Sequence, residues 1–393
     1  VAGLFAGVGG IELGLGRAGF HTCMLCECLP EALAVLTHRF PTASIETDIR
    51  LLAATSHKRL PDVDVLTAGF PCQDLSQCGR RVGILGQNSG LIDCVLELLS
   101  RRKRGPRWLI IENVPFMLRL DGGRAMTHLT QSLETLGFAW AYRVVDARAF
   151  GLPQRRERVI LMASRQEDPR SILLAEDVGE RVPIEVDDDR PRGFYWTEGN
   201  RGLGWAFDSI PTLKAGSTLG IPSPPAIWLP AFDELVTPTI EDAEAMQGLP
   251  RHWTSLTHCR PRLGERLRWR LVGNSVPPPI AEWIGRLLLA PGPFDASTGI
   301  AIRNGAAWPT AAWGAKGQRF AVEMSPWPIE RRWCGLSARY GLRGEGLLAR
   351  PRLSERAAYG FYQRLSRSSL RQSKDDRFMS SLRRFIRVVR TTA

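Results

Sequence analysis

The 393-residue chain has no apolar run near the roughly 18 residues that a membrane-spanning helix needs, so a helical membrane protein is excluded. No basic, apolar leader opens it either, and the first strand begins almost at once. The expectation is a cytoplasmic protein that has lost no more than a starting methionine or a few residues. Cysteine is scarce: eight scattered positions, Cys23, Cys26, Cys28, Cys72, Cys78, Cys94, Cys259 and Cys334. A chain of this length folds without disulfide staples, so these read as free thiols in a reducing compartment. Cys23, Cys26 and Cys28 look like half a metal site, but no second Cys or His cluster of matching spacing follows, and no metal is expected. Repetition is missing too, since "AAWPTAAWG" holds only two copies of three residues.

What is present is an ordinary globular composition, 44% apolar and 23% charged, with a net charge of +12. Residues 350–393 carry 12 Lys plus Arg against 3 Asp plus Glu, so most of the excess sits in the tail. Such a balance favours a polyanionic partner through phosphate contacts and counterion release. The length suggests about two to three domains.

Strand-length apolar runs at "VAGLF", "TCMLCE", "DVDVLTAGF", "RWLIIEN" and "RVILMAS" alternate with the helical patterns "PEALAVLTHRF", "GLIDCVLELLSRR" and "AMTHLTQSLETLG". That alternation predicts a doubly wound α/β sheet over residues 1–163. From 164 to 268 the texture turns to Gly, Pro, Ser and aromatics without helical period, which predicts a small loop-rich domain. Residues 269–291, with "PPPIAEWIGRLLLA", are expected to return and pack on the first domain, and residues 292–393 to form a basic C-terminal extension.

In "LFAGVGGIELGLGRAGF" a strand runs into Gly7, Gly9 and Gly10 and then a helix, a turn that admits a ligand to backbone at a helix N-terminus. Glu12 stands where the dinucleotide fingerprint needs a third glycine, which argues against a nicotinamide enzyme. Glu27 and Asp48 follow the next two elements, placed for ribose hydroxyls and an adenine amino group. Cys72, in "AGFPCQDLSQCG", follows a strand at its carboxyl end, where open α/β sheets bind ligands, and Gln73, Asp74 and Ser76 make its surroundings polar. Glu112 and Asn113 end another strand, so they belong on the same rim. In "GLPQRRERVILMA" alternation puts Arg156 and Arg158 on one face, Arg155 and Glu157 on the other.

Through "FAGVGG", "GFPCQ", "ENV", "QRRER" and "GNSVPPP", residues 1 to about 290 resemble the DNA (cytosine-5) methyltransferases. The resemblance implies a Rossmann-like methyltransferase sheet, S-adenosylmethionine as cofactor and S-adenosylhomocysteine as product. Phe5, Ala6, Gly7, Gly9 and Gly10 would surround the methionine part, Glu27 the ribose, and Asp48 with Ile49 the adenine, with Cys28 also in the cofactor pocket. Gly69, Pro71, Leu91, Asn274, Ser275 and Val276 would complete the pocket. Cys72 would be the nucleophile, Glu112 the contact to ring N3 and the amino group, Arg158 the contact to the base carbonyl, with Arg156 supporting and Asn113 bracing the active-site loop. DNA contacts would come from Gln73, Ser76, Arg80 and Arg81 in a hinged loop, and from Thr212, Leu213 and Lys214 in the recognition domain. Duplex DNA is the implied partner, with a cognate restriction endonuclease or defence complex beside it. An RNA-directed relative acting on tRNA is one alternative; a silent DNA-binding homologue is another, argued against by the presence of Cys72 and Glu112.

Two departures stand out. The family usually has an arginine in the segment matched by "VTPTIEDAEAMQGLP", where Glu241 is nearest, and an aromatic residue often follows the acid at the second strand, where Cys28 stands.

Overall fold

A computed structural model describes the chain except residues 56–59, 71–89, 103–104, 180, 182–188, 199–201, 216–223, 257–262, 304, 331–333, 370–375 and 393, and except the side chains of 55, 376 and 389–392. It divides into two units. The first comprises Val1–Ala149, Glu157–Glu180 and Ser275–Glu330. Its strands β1 (Ala2–Leu4), β2 (Met24–Cys26), β3 (Ser44–Glu46), β4 (Val65–Ala68) and β5 (Trp108–Asn113) run parallel in the order β3-β2-β1-β4-β5. Helices α1 (Gly10–Arg17), α2 (Pro30–Arg39), α3 (Ile49–Thr55) and α4 (Leu91–Ser100) lie between successive strands in the chain. The order reverses between β1 and β4, and the carboxyl ends of strands at such a switch point are where open sheets bind ligands.

Parallel strands covered on both faces must be apolar nearly throughout, which is why "WLIIEN" is buried at every position. After β5 come α5 (Arg124–Thr135) and β6 (Ala139–Asp146). The strand Glu157–Ser164 then inserts antiparallel between β5 and β6. The five runs predicted as strands form β1, β2, β4, β5 and Glu157–Ser164, and the three helical patterns form α2, α4 and α5.

β6 escaped the sequence pattern because Arg143 interrupts it. That guanidinium is fully buried, satisfied by Asp177 at 2.9 Å and the Ser325 carbonyl at 2.7 Å, and burial pushes its pKa down. Beyond β6 the sheet continues through Ala311–Ala315, Gln318–Ala321 and Ile300–Ala301, all antiparallel. Helix Pro278–Leu289 packs on α1, with Gly14 against the Pro278 carbonyl.

The second unit comprises Phe150–Arg156, Arg181–Asn274 and Arg331–Ala393. Strands Ala206–Phe207, Arg192–Phe194, Ala226–Leu229 and Glu234–Val236 form an antiparallel sheet in that order. Helices Glu355–Arg367 and Asp376–Thr392 lay an apolar face on it: Phe361 stands 5.0 Å from Phe194 and Phe378 5.1 Å from Trp228, centroid to centroid. The division by contacts therefore follows other boundaries than a partition at 163, 268 and 291. Residues 300–321 complete the large sheet because β6 needs a hydrogen-bonded neighbour, and the basic tail supplies half of the second unit's aromatic core.

Candidate active site

The turn after β1 is held in unusual backbone. Phe5 (φ 56°), Gly7 (φ 55°) and Gly9 (φ 78°) occupy the left-handed region, natural for glycine and strained for phenylalanine. Phe5 is fixed there by an edge contact with Phe70, centroids 6.3 Å apart. A Cβ on Gly10 would lie 2.3 Å from the Val276 carbonyl, so the buried Ser275–Val276 pair closes directly on the start of α1. A Cβ on Gly7 would meet nothing within 4 Å, leaving that side of the turn open. Ala6, half-buried, donates its N–H to the Cys26 carbonyl at 3.1 Å.

Buried Glu27, just after β2, ties this turn down. Its Oε2 accepts from the Gly7 N–H at 2.8 Å, and its Oε1 from the N–H groups of Cys28 and Leu29 at 2.8 and 2.9 Å. A carboxylate offers about four acceptor positions, and the described residues take three of them, leaving one for a ligand hydroxyl. Half-buried Asp48 accepts from the Arg50 N–H at 2.8 Å beside buried Ile49, and half-buried Leu91 begins α4. The Cys28 side chain is exposed.

The ends of β1, β4 and β5 converge. A Cβ on Gly69 would stand 3.7 Å from Glu112 Oε2 and 3.8 Å from the Phe5 carbonyl. Glu112 Oε1 pairs with Arg158 Nε at 2.8 Å, both side chains about nine-tenths buried at 11% and 9% exposure. Asn113 donates through Nδ2 to the Phe70 carbonyl at 3.0 Å and accepts at Oδ1 from the Val114 N–H at 2.9 Å, which fixes its amide orientation. Pro71, Cys72, Gln73, Ser76, Arg80 and Arg81 lie outside the described residues.

Other expected site residues fall in the second unit. Buried Arg156 donates to the Leu213 and Gly273 carbonyls at 3.0 and 3.1 Å. Thr212, half-buried, donates to the Arg155 carbonyl at 2.7 Å; Leu213 is buried, its N–H bonded to Gln154 Oε1 at 2.9 Å; Lys214 is exposed, paired with Glu198. Asn274, exposed, ends helix Glu265–Asn274. The alternation expected at 155–158 is seen, with Arg155 and Glu157 exposed, Arg156 and Arg158 buried.

Comparison with known proteins decides between the chemistries such a rim permits. Residues 1–188 match the model of the C-5 cytosine-specific DNA methylases. The chain is 44% identical to the type II methyltransferase M2.BsuMI of Bacillus subtilis, over 98% of this chain and 97% of that one. The chain belongs to the C-5 cytosine-specific DNA methylase family. A second relative, the type II methyltransferase M.NgoBV of Neisseria gonorrhoeae, is 34% identical over 42% of this methylase and 41% of its own length. In fold the methylase resembles the Dnmt2 methyltransferase of S. pombe, TM-score 0.55 at 18% identity, over 73% of this chain and 97% of that one. The Dnmt2 enzyme of Spodoptera frugiperda is similar at TM-score 0.51 and 14% identity, over 73% and 98%. The activity is transfer of a methyl group to C5 of cytosine in DNA.

Some features of this methylase were illegible in sequence. Glu12, conspicuous only as a missing glycine, is buried and accepts from Thr67 Oγ1 at 2.8 Å, filling the space over Gly3, whose Cβ would lie 2.2 Å from Glu12 Oε1. Burial raises its pKa. Glu241, in place of the customary arginine, pairs with Arg268 at 2.9 Å, and the same guanidinium holds buried Glu244 at 3.1 Å. Arg268 lies on helix Glu265–Asn274. Among the described residues no three His, Cys, Asp or Glu side chains gather as a metal site.

Proposed function

We propose that the methylase takes S-adenosylmethionine in the turn after β1, flips a cytosine out of a specific duplex sequence, and adds Cys72 to its C6. The observation that carries this reading is the convergence of the Glu112–Arg158 pair, Gly69 and the Asn113–Phe70 bond, two residues short of Cys72 in the chain. The residues fit the cofactor: backbone open at Gly7, a carboxylate with spare acceptor capacity at Glu27, and Asp48 with Ile49 at the next strand end. Bound there, it supplies an electrophilic sulfonium methyl group, leaving S-adenosylhomocysteine.

The protein's own groups solve the rest. Cytosine C5 is a weak nucleophile until a thiolate adds at C6, which makes the ring enamine-like; loss of the C5 proton after methylation then expels the thiolate. A free thiol is only a few per cent ionised at neutral pH, and positive charge from Arg158 favours the thiolate. Glu112, oriented by Arg158, delivers a proton to N3 as the thiolate adds, which offsets the negative charge developing on the ring, while Arg158 addresses the base carbonyl. Asn113 braces the chain leading into Cys72, and Arg156 holds Leu213 beside Thr212. A stacked base presents neither C5 nor C6 to these groups, so the target must leave the helix. Gln73, Ser76, Arg80, Arg81, Thr212 and Lys214 are the proposed DNA contacts. The type II designation of the relatives supports a modification role in a cytoplasmic restriction-modification system, with a cognate endonuclease as partner. Radiolabelled methyl transfer to duplex DNA and not to tRNA is the expected result; transfer to tRNA alone would overturn the substrate assignment.

A further inference from the structure

In the second unit a four-residue turn, Tyr195–Glu198, is closed by the Glu198 N–H on the Tyr195 carbonyl at 3.3 Å. Three of its side chains reach outward to other segments. The Tyr195 hydroxyl donates to the Thr212 carbonyl at 2.6 Å, and Lys214 stands 3.8 Å over the Tyr195 ring while pairing with the Glu198 carboxylate. Trp196 Nε1 donates to the Pro224 carbonyl at 2.8 Å. The turn therefore holds the two residues, Thr212 and Lys214, assigned above to DNA contact.

What holds the turn comes from the far end of the chain. Arg364, in helix Glu355–Arg367, donates through Nε to the Glu198 carbonyl at 2.9 Å and through a terminal nitrogen to the Trp196 carbonyl at 2.7 Å. Ala358, Phe361 and Leu365 bury the same helix in the aromatic core, so the guanidinium is presented from a rigid base. A planar fork can serve two carbonyls two residues apart; an ammonium on a flexible stem lacks that geometry. Burial pushes the Tyr195 phenol up to about 12, which keeps its proton available for Thr212.

We propose that Arg364 is a specificity-determining positioning residue: by clamping Tyr195–Glu198 it sets Thr212 and Lys214 against duplex DNA. The inference rests on the reading of those two side chains as DNA-facing, and it gives the tail, outside the family core, a part in target choice.

The test expresses the full chain in cells without cytosine methylation and reads their DNA by bisulfite sequencing, which defines the wild-type motif. Arg364→Lys, Arg364→Met and Tyr195→Phe are compared with Arg356→Gln, an exposed position on the same helix. The expected result is a fall of about ten-fold in the ratio of motif to one-mismatch methylation, the scale of one mismatched base pair. In vitro, the loss falls on KM for the cognate duplex more than on kcat. The clamp variants keep a wild-type melting temperature, and Arg356→Gln keeps wild-type discrimination. Wild-type discrimination in folded Tyr195→Phe and Arg364→Lys would overturn the inference alone, as would a loss that merely tracks melting temperature. Absence of 5-methylcytosine with the wild-type chain would overturn the underlying reading as well.

Discussion

Glu112 offers one oxygen to Arg158 at 2.8 Å and turns the other toward Gly69, a division of labour that an amide cannot reproduce. Glu112→Gln is expected to fold normally and to lose methyl transfer by roughly 10²–10⁴-fold, the usual range for a proton-transferring side chain; single-turnover rates check it. Glu12 predicts a pH effect instead. Its carboxyl, raised in the folded state by burial, binds a proton more tightly there than in the unfolded chain. The stability it contributes is complete below its ordinary value of 4.5 and is lost as pH rises through the raised one. The unfolding free energy of wild type, read from urea titrations, should therefore fall relative to that of Glu12→Gln across that window, by at most about 1.4 kcal/mol per pH unit. Parallel curves would show that Glu12 is not protonated in the fold. Neither feature was equally legible: Glu112 was found as an acid ending a buried strand, whereas a buried acid within an amphipathic helix leaves no signal until Gly3 and Thr67 are seen around it.

At the scale of elements, α1 and helix Pro278–Leu289 meet through glycine. A Cβ on Gly14 would stand 2.2 Å from the Pro278 carbonyl and one on Gly285 2.6 Å from the Ala18 Cβ. Since the first obstacle is backbone, Gly14→Ala should destabilise the protein by about 1–3 kcal/mol, read as a lower urea midpoint with an unchanged m-value. The strands carrying the site were readable because burial on both faces demands unbroken apolar runs. β6 was not, because Arg143 breaks its pattern and finds its partners at Asp177 and Ser325, far away in sequence. The edge strand β3 was not readable either, because Ser44–Glu46 is exposed to half-buried and has a single apolar residue.

At the scale of the whole chain, the basic tail is structural before it is anything else. Arg350 pairs with Asp242, Arg352 with Glu234 and Arg384 with Asp233, while Phe361, Phe378 and Phe385 fill the second unit's core. Charge counting saw the cations and not these partners, which lie more than a hundred residues upstream. Phe378→Ala should cost about 3–5 kcal/mol, and limited proteolysis should then cut within the second unit before the first. The chemistry itself is tested most directly on duplex DNA carrying 5-fluorocytosine, incubated with the protein and S-adenosylmethionine. Fluorine cannot leave as the C5 proton does, so a denaturation-resistant protein–DNA adduct is expected with wild type and none with Cys72→Ala. An adduct that persists in Cys72→Ala, or methyl transfer by that variant at the wild-type rate, would contradict a covalent role for Cys72.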